Sequence, residues 1–333
     1  MPEKFILNKI SGRRLFIVCL IVVFTQCADC SYGDRSPIYK KCLQWCSANN
    51  CSNSTRLAEF EAKRPWYLSF LQWECWDECE HFCMWHAVKL FQSSGQSVPQ
   101  FHGKWPFYRF WGLQEPASVL FSILNGCVHY FTWQKFRKSV PKGPYNTVWN
   151  IQAVLSINAW FWSAVFHARD TPFTEKLDYF CAFSMVLYSF YSLCVRICSN
   201  TNLWMPIALA VPFLSFFCYH IHYLTYVRFD YGYNLKANIA IGLINSCGWI
   251  MWCYKYRHKS YVWKCAVSVI IVNILLLLEL CDFPPWRFII DAHALWHLGT
   301  IPVPLLWYRF LTDDCLSDGK EKQYNVKDDR KVA

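Results

Sequence analysis

Charge is scarce in this sequence: Asp, Glu, Lys and Arg make up 17% of its 333 residues, where a soluble domain of ordinary composition holds about a quarter. The deficit argues against a water-soluble globular fold. No Gly-rich phosphate loop and no dinucleotide-binding glycine fingerprint occurs, which removes the nucleotide-binding enzymes built on them. The apolar segments show no repeat of span pattern and no charge relay at mid-span, against a transporter or channel. What is abundant is apolar: 54% of residues are hydrophobic and 19% aromatic. The composition is that of a multi-span membrane protein with one modest polar region. The net charge of +10 is no sign of nucleic-acid binding, because much of the basic excess falls in short loops between apolar segments, where it sets topology.

Residues 1–30 read as a secretory signal. Lys4, Lys9, Arg13 and Arg14 precede an apolar run from Leu15 to Phe24, ten residues and too short to span a bilayer comfortably. Cleavage near Ala28 to Cys30 is one outcome and an uncleaved anchor the other. Residues 31–111 form a lumenal region. Within it Cys42, Cys46 and Cys51 make one group, and Cys75, Cys79 and Cys83 a second; the steps Cys42/Cys46, Cys75/Cys79 and Cys79/Cys83 are four residues, one helical face each. Behind a signal peptide, six cysteines point to three disulfides stapling a helical hairpin, their pairing left open; a zinc cluster is the rival that an oxidising compartment disfavours. The remaining cysteines are mostly scattered singly through apolar segments, as small hydrophobes. Asn50 and Asn53 both head glycosylation sequons, and Asn53 is the better acceptor if Cys51 is bonded.

From residue 112 to 311 the chain is a series of seven apolar segments, 114–133, 149–168, 178–197, 204–226, 236–254, 263–281 and 287–310. Each approaches the ~20 residues that cross ~30 Å of hydrocarbon, and the short connections pack them as a bundle. The fold class is therefore an all-α membrane protein, a seven-transmembrane helix bundle behind a disulfide-rich helical region. The N-terminus is lumenal and the C-terminus cytosolic: the connection after the first span carries Lys135, Arg137, Lys138 and Lys142, and that after the fifth carries Lys255, Arg257, Lys259 and Lys264, on the cytosolic side. Residues 312–333 form a polar cytosolic tail that reads as disordered. It ends Arg330-Lys331-Val332-Ala333, either a retrieval signal of early secretory membranes or a solvated charged tail.

The chemistry gathers at one level. His293 and His297 stand four apart in an apolar run, so on a helix both imidazoles share a face. The pair alone suits either a divalent metal or two satisfied core histidines. The second segment ends with Ser163 and His167, again four apart, and the third begins with Asp178. The topology puts all five at the lumenal side, which favours a metal. His167, His293 and His297 supply three nitrogen ligands of a Zn2+ site with one position for water. Asp178 is the candidate proton carrier and Ser163 the candidate oxyanion donor; a Ser163 nucleophile is the alternative. Glu115, Asn125 and Asp291 are candidates to support these groups from behind. Glu279 reads as interfacial, and His129, His220 and His222 lack matching partners and are not read as ligands.

Ser-x3-His, then Asp, then His-x3-His at the end of a seven-span bundle resembles the superfamily of alkaline ceramidases and adiponectin/progestin receptors. The stretches Phe101-His102-Gly103-Lys104-Trp105, Gln114-Glu115-Pro116, Asn158-Ala159-Trp160-Phe161-Trp162-Ser163, Arg228-Phe229-Asp230-Tyr231-Gly232-Tyr233-Asn234 and Asp282-Phe283-Pro284-Pro285 resemble more narrowly the Per1-like group. The resemblance runs from about Gly33 to Leu311. It implies fatty-acid remodelling of GPI-anchored proteins, with phospholipase A2-like removal of the sn-2 acyl chain of the anchor's phosphatidylinositol. GPI-anchored proteins and membrane lipid are then the partners, and the Golgi membrane, or alternatively the endoplasmic reticulum, the location. The other reading is a non-catalytic seven-span receptor or escort for GPI-anchored proteins with a structural metal. Ser163 and Asp178 favour hydrolysis, because a structural metal needs neither.

Overall fold

The computed structural model describes residues 31–141, 143–198 and 204–332, and side chains as far as residue 319 except residue 144. The leader read at 1–30 and the terminal Ala333 lie outside the described residues. These residues are helical, with turns and three isolated two-residue bridges and no strand among them. They divide into two compact units.

The first unit takes in residues up to Arg64 and Glu74–Pro106. Its helices are α1 (Tyr32–Arg35), α2 (Pro37–Asn50), α3 (Ser54–Lys63) and α5 (Cys75–Ser93); the intervening α4 (Trp66–Phe70) belongs to the second unit. Helix α2 starts cleanly because Ser36 accepts from the Tyr39 amide and Pro37 fills the first turn. Helices α2 and α5 lie against each other and are joined rung by rung: Cys42–Cys83, Cys46–Cys79 and Cys51–Cys75. The expected three disulfides and helical hairpin are both present, and the pairing that the sequence leaves open is the antiparallel ladder. Gly33 is wedged where a Cβ would meet the Gln100 carbonyl oxygen at 2.6 Å and the Phe101 ring at 2.8 Å.

The second unit is a helical bundle: α6 (Pro116–Ser139), α7 (Pro144–Ala168), α8 (Pro172–Ile197), α9 (Trp204–His222) ending in a π-helical turn (Tyr223–Val227), α10 (Tyr231–Lys255), α11 (Val262–Cys281), α12 (Ala292–Thr300) and α13 (Val303–Val332). Each of the seven apolar segments read from the sequence falls mainly on these helices; the last, 287–310, starts in the turn before α12 and is broken into α12 and α13 around Pro302, whose ring cannot continue a helix without loss of a hydrogen bond. Neighbours pack in a closed ring, α6 on α7, α7 on α8, α8 on α10, α10 on α11, and α11 on α12 and α13, which return to α6; α9 sits outside against α8. Among the described residues, three helices are long and apolar enough to cross a membrane: α8, α9 with its π turn, and α11. Helices α6, α7 and α10 are of comparable length but carry polar residues such as Asn125, Gln152 and Asn245.

The bundle has two unlike ends. One is an aromatic core of Phe136, Trp149, Trp249, Trp252, Tyr308 and Phe310, filled by the C-terminal ends of α6 and α10 and the N-terminal parts of α7 and α13. Within it Arg196 makes a bidentate pair with Asp314 at 2.7 and 2.9 Å, and the Tyr261 hydroxyl donates to the same carboxylate at 3.0 Å. Helix α13 continues from Val303 to Val332, and that pair with the Lys264–Asp313 ion pair anchors Asp313 and Asp314, the first polar residues of the stretch that the sequence reads as a disordered tail. The other end is polar and holds the residues singled out for chemistry.

Candidate metal centre

Four helix ends meet at the polar end: the start of α6, the last turn of α7, the last turns of α11 and the whole of α12. Two tight turns lead into it. Phe110–Leu113 folds back through Trp111 and Gly112, both at positive φ, and delivers Glu115. Gly112, at φ +78°, also lies where a Cβ would crowd Leu68 and Leu71 of the α4 segment at 3.0–3.1 Å. Trp286–Ile290 folds back through Arg287 and Phe288, again both at positive φ, and delivers α12. Asp291 caps α12, its carboxylate accepting from the Ala294 amide at 2.7 Å.

The three histidines converge there. Their ligand nitrogens all lie within 4.8 Å of one another. The His293 Nε2 stands 3.3 Å from the His167 Nε2 and 2.8 Å from the His297 Nε2. Each ring is held from behind through its other nitrogen. His167 Nδ1 lies 2.6 Å from the Glu115 carboxylate, His293 Nδ1 is 2.5 Å from that of Glu279, and His297 Nδ1 is 3.2 Å from the Ser122 hydroxyl. Glu115 grips its residue twice, since its amide also donates to the His167 carbonyl at 3.0 Å. Asn125 donates to the His297 carbonyl at 2.8 Å. Trp160 and Trp296 wall the imidazoles, with ring centres 5.2 and 5.0 Å from that of His297.

This arrangement fits a metal. The carboxylates at Nδ1 of His167 and His293 place those ring hydrogens there and leave the Nε2 lone pairs facing inward, and the Ser122 hydroxyl can accept from Nδ1 of His297 in the same way. Three inward lone pairs within 4.8 Å of one another, with His293 in contact with both of the others, have no mutual donor. A divalent cation that takes imidazole nitrogen, zinc above all, satisfies all three. Two carboxylates behind the ligands, Glu115 buried and Glu279 partly buried, supply countercharge.

Ser163 is buried on α7, and its hydroxyl lies 3.1 Å from that of Ser122, itself wholly buried. Asp178 stands half-buried on the second turn of α8, the helix packed along α7, and is not one of the three residues whose ligand atoms meet in the cluster. Sequence reasoning did not single out Ser122 and read Glu279 as interfacial. Glu279 did carry a signal, as the one acidic residue in the apolar run of α11. His220 is buried away from the cluster, stacked on Phe183 at 3.8 Å with the Tyr233 hydroxyl 3.3 Å from its Nδ1. Asn50 and Asn53 are both exposed, and Cys51 between them is bonded to Cys75.

Comparison with known proteins bears on the same residues. No solved structure matches the chain significantly. Proteins named "GPI-specific phospholipase A2-like PGAP3" match from Xenopus tropicalis, 46% identical over 89% of this chain and 94% of the relative, and from Homo sapiens, 45% identical over 90% and 94%. "Post-GPI attachment to proteins factor 3" of Drosophila melanogaster is 41% identical over 90% of this chain and 94% of its own length. The Per1-like family profile covers residues 65–315, which include every residue of the histidine cluster and its supports. The chain belongs to the Per1-like family.

Proposed function

We propose that this protein remodels GPI anchors by hydrolysing the sn-2 acyl ester of the anchor's phosphatidylinositol, with zinc held by His167, His293 and His297. The observation that carries the reading is the convergence of three Nε2 atoms at one end of a helical bundle, each ring held from behind at Nδ1, with the Ser163 hydroxyl linked to the His297 ring through that of Ser122. The names of the relatives supply the substrate class. With seven helical spans, α12 and α13 forming one, this end faces the lumen, where the ester of a lumenal-leaflet lipid lies near the headgroup level. The cysteine ladder and an Asn53-linked glycan suit the same compartment. The Golgi membrane is the proposed location.

Zinc bound there supplies Lewis acidity, which acidifies water towards neutral pH and polarises an ester carbonyl. The protein's own groups do the rest. Asp178 takes a proton from the attacking water as its oxygen bonds to the acyl carbon. Ser163 donates a hydrogen bond to the developing oxyanion. The carbon–oxygen bond to the glycerol sn-2 position then breaks, and Asp178 returns the proton to the leaving alkoxide, yielding a free fatty acid and a lyso anchor. Ser163 suits the donor role better than the nucleophile role, because its hydroxyl neighbours the hydroxyl of Ser122 and not an imidazole nitrogen able to take its proton. The test is complementation of cells lacking the protein, read by mass spectrometry of the anchor lipid. Wild type restores saturated sn-2 chains, and Asp178→Ala and Ser163→Ala, folded and correctly localised, do not. Full remodelling by either variant refutes the role assigned to that residue.

A further inference from the structure

We propose that Ser122 is a positioning residue that couples a metal ligand to the oxyanion donor through a directed hydrogen-bond chain, His297 Nδ1–H to Ser122 Oγ, and Ser122 O–H to Ser163 Oγ. The inference rests on the zinc and oxyanion roles proposed above and extends them to a residue that neither uses.

The direction follows from donor and acceptor counting. His297 turns its Nε2 towards the other two imidazoles, so its ring hydrogen is on Nδ1 and points at the Ser122 oxygen 3.2 Å away. A hydroxyl that accepts there has its one hydrogen left to give. The other side-chain oxygen in reach is that of Ser163, at 3.1 Å. Ser163 therefore accepts from Ser122, and its own hydrogen stays available for an incoming oxygen. The three residues come from α6, α7 and α12, and all are buried, so water does not compete for the chain. Reversing the first link would set two hydrogens against each other, and reversing the second would leave the buried Ser122 hydrogen without the acceptor that Ser163 offers. The chain thus fixes the rotamer and polarity of Ser163 before substrate arrives, which is the preorganisation that oxyanion stabilisation requires.

The experiment uses the purified full-length protein at saturating zinc, acting on a GPI-anchored protein with an unsaturated sn-2 chain in detergent micelles. Ser122→Ala is expected to lower kcat roughly 10- to 100-fold with KM within about twofold, short of the 10²–10³ typical when an oxyanion donor itself is removed. The double variant Ser122→Ala/Ser163→Ala is expected to match Ser163→Ala alone, because both break one chain. Chelator competition reads the other link without any turnover: Ser122→Ala weakens zinc binding by up to about tenfold, while Ser163→Ala leaves it unchanged. Losses that multiply in the double variant, or zinc affinity unaltered in Ser122→Ala, overturn the relay. Full activity of Ser163→Ala removes the proposed oxyanion role itself, a different failure from multiplying losses with Ser163→Ala impaired. Ser122→Cys, close in volume and a weak donor, gives the same readings if the alanine variant does not fold.

Discussion

Glu279 offers the sharpest test of how the histidine cluster is built. Its carboxylate lies 2.5 Å from the Nδ1 of His293, partly buried at 19% side-chain exposure. A carboxylate behind a ligating imidazole fixes the ring, sets its tautomer and raises the basicity of the ligating nitrogen. Removing such a partner typically costs 10- to 100-fold in metal affinity, about 1.4–2.8 kcal/mol. Glu279→Gln keeps the size and one acceptor oxygen but loses the charge, so it belongs at the low end, about tenfold. Glu279→Ala also frees the ring and belongs at the high end. Glu115→Gln is expected to act similarly through His167, whose carbonyl the Glu115 amide continues to hold. The assay is competition for zinc against a chromophoric chelator on detergent-purified protein, with thermal unfolding to confirm that each variant is folded. Affinity of Glu279→Ala within twofold of wild type, with His293→Ala deficient in zinc, would refute the assigned support. Zinc retained in full by His293→Ala would refute the metal centre.

Other perturbations separate the bundle's architecture from its chemistry. Asp314→Ala strands the Arg196 guanidinium in the aromatic core and should cost about 3–5 kcal/mol, seen as a lower unfolding temperature with zinc still bound; Asp313→Ala, breaking the half-exposed pair with Lys264, should cost under about 1 kcal/mol. Gly33→Ala drives a Cβ into the Gln100 carbonyl and should destabilise the cysteine-rich unit by about 1–3 kcal/mol in urea unfolding. Replacing both Cys46 and Cys79 by serine opens the middle rung while the rungs on either side still tie the helices, so the cost to the same unit should be about 2–3 kcal/mol. If that variant unfolds at the wild-type urea midpoint, the ladder is not what holds α2 to α5.

Much of this molecule is legible in its sequence, for identifiable reasons. His293 with His297, and Ser163 with His167, are four-residue pairs whose meaning is fixed by helix geometry, without knowledge of neighbours. The cysteine ladder is legible in the same way, up to the pairing, which depends on two helices being antiparallel. What local spacing does not carry is contact between helices. Ser122 meets His297 across 175 residues of chain, and nothing in the run Leu120-Phe121-Ser122-Ile123-Leu124 announces it. Glu279 stands out as an acid in an apolar helix, yet its partner depends on the turn through Arg287 and Phe288 that brings α12 back beside α11. Asp291 shows the converse. Two residues before a histidine it reads as a partner for that ring, and its carboxylate instead caps the helix. The polar tail misleads for the same reason: a charged stretch reads as solvated until Asp314 finds Arg196.

If three imidazoles at one end of this bundle hold the zinc ion needed to cleave the anchor's sn-2 ester, metal content and turnover must rise and fall together. Zinc content and fatty-acid release are therefore measured on the same purified preparations, with a GPI-anchored protein as substrate. The wild type should carry one zinc per chain and release the unsaturated sn-2 acid. His167→Ala should lose both, and chelated wild type should recover release when zinc is restored. Release by a wild-type preparation lacking stoichiometric zinc would contradict the proposed metal chemistry.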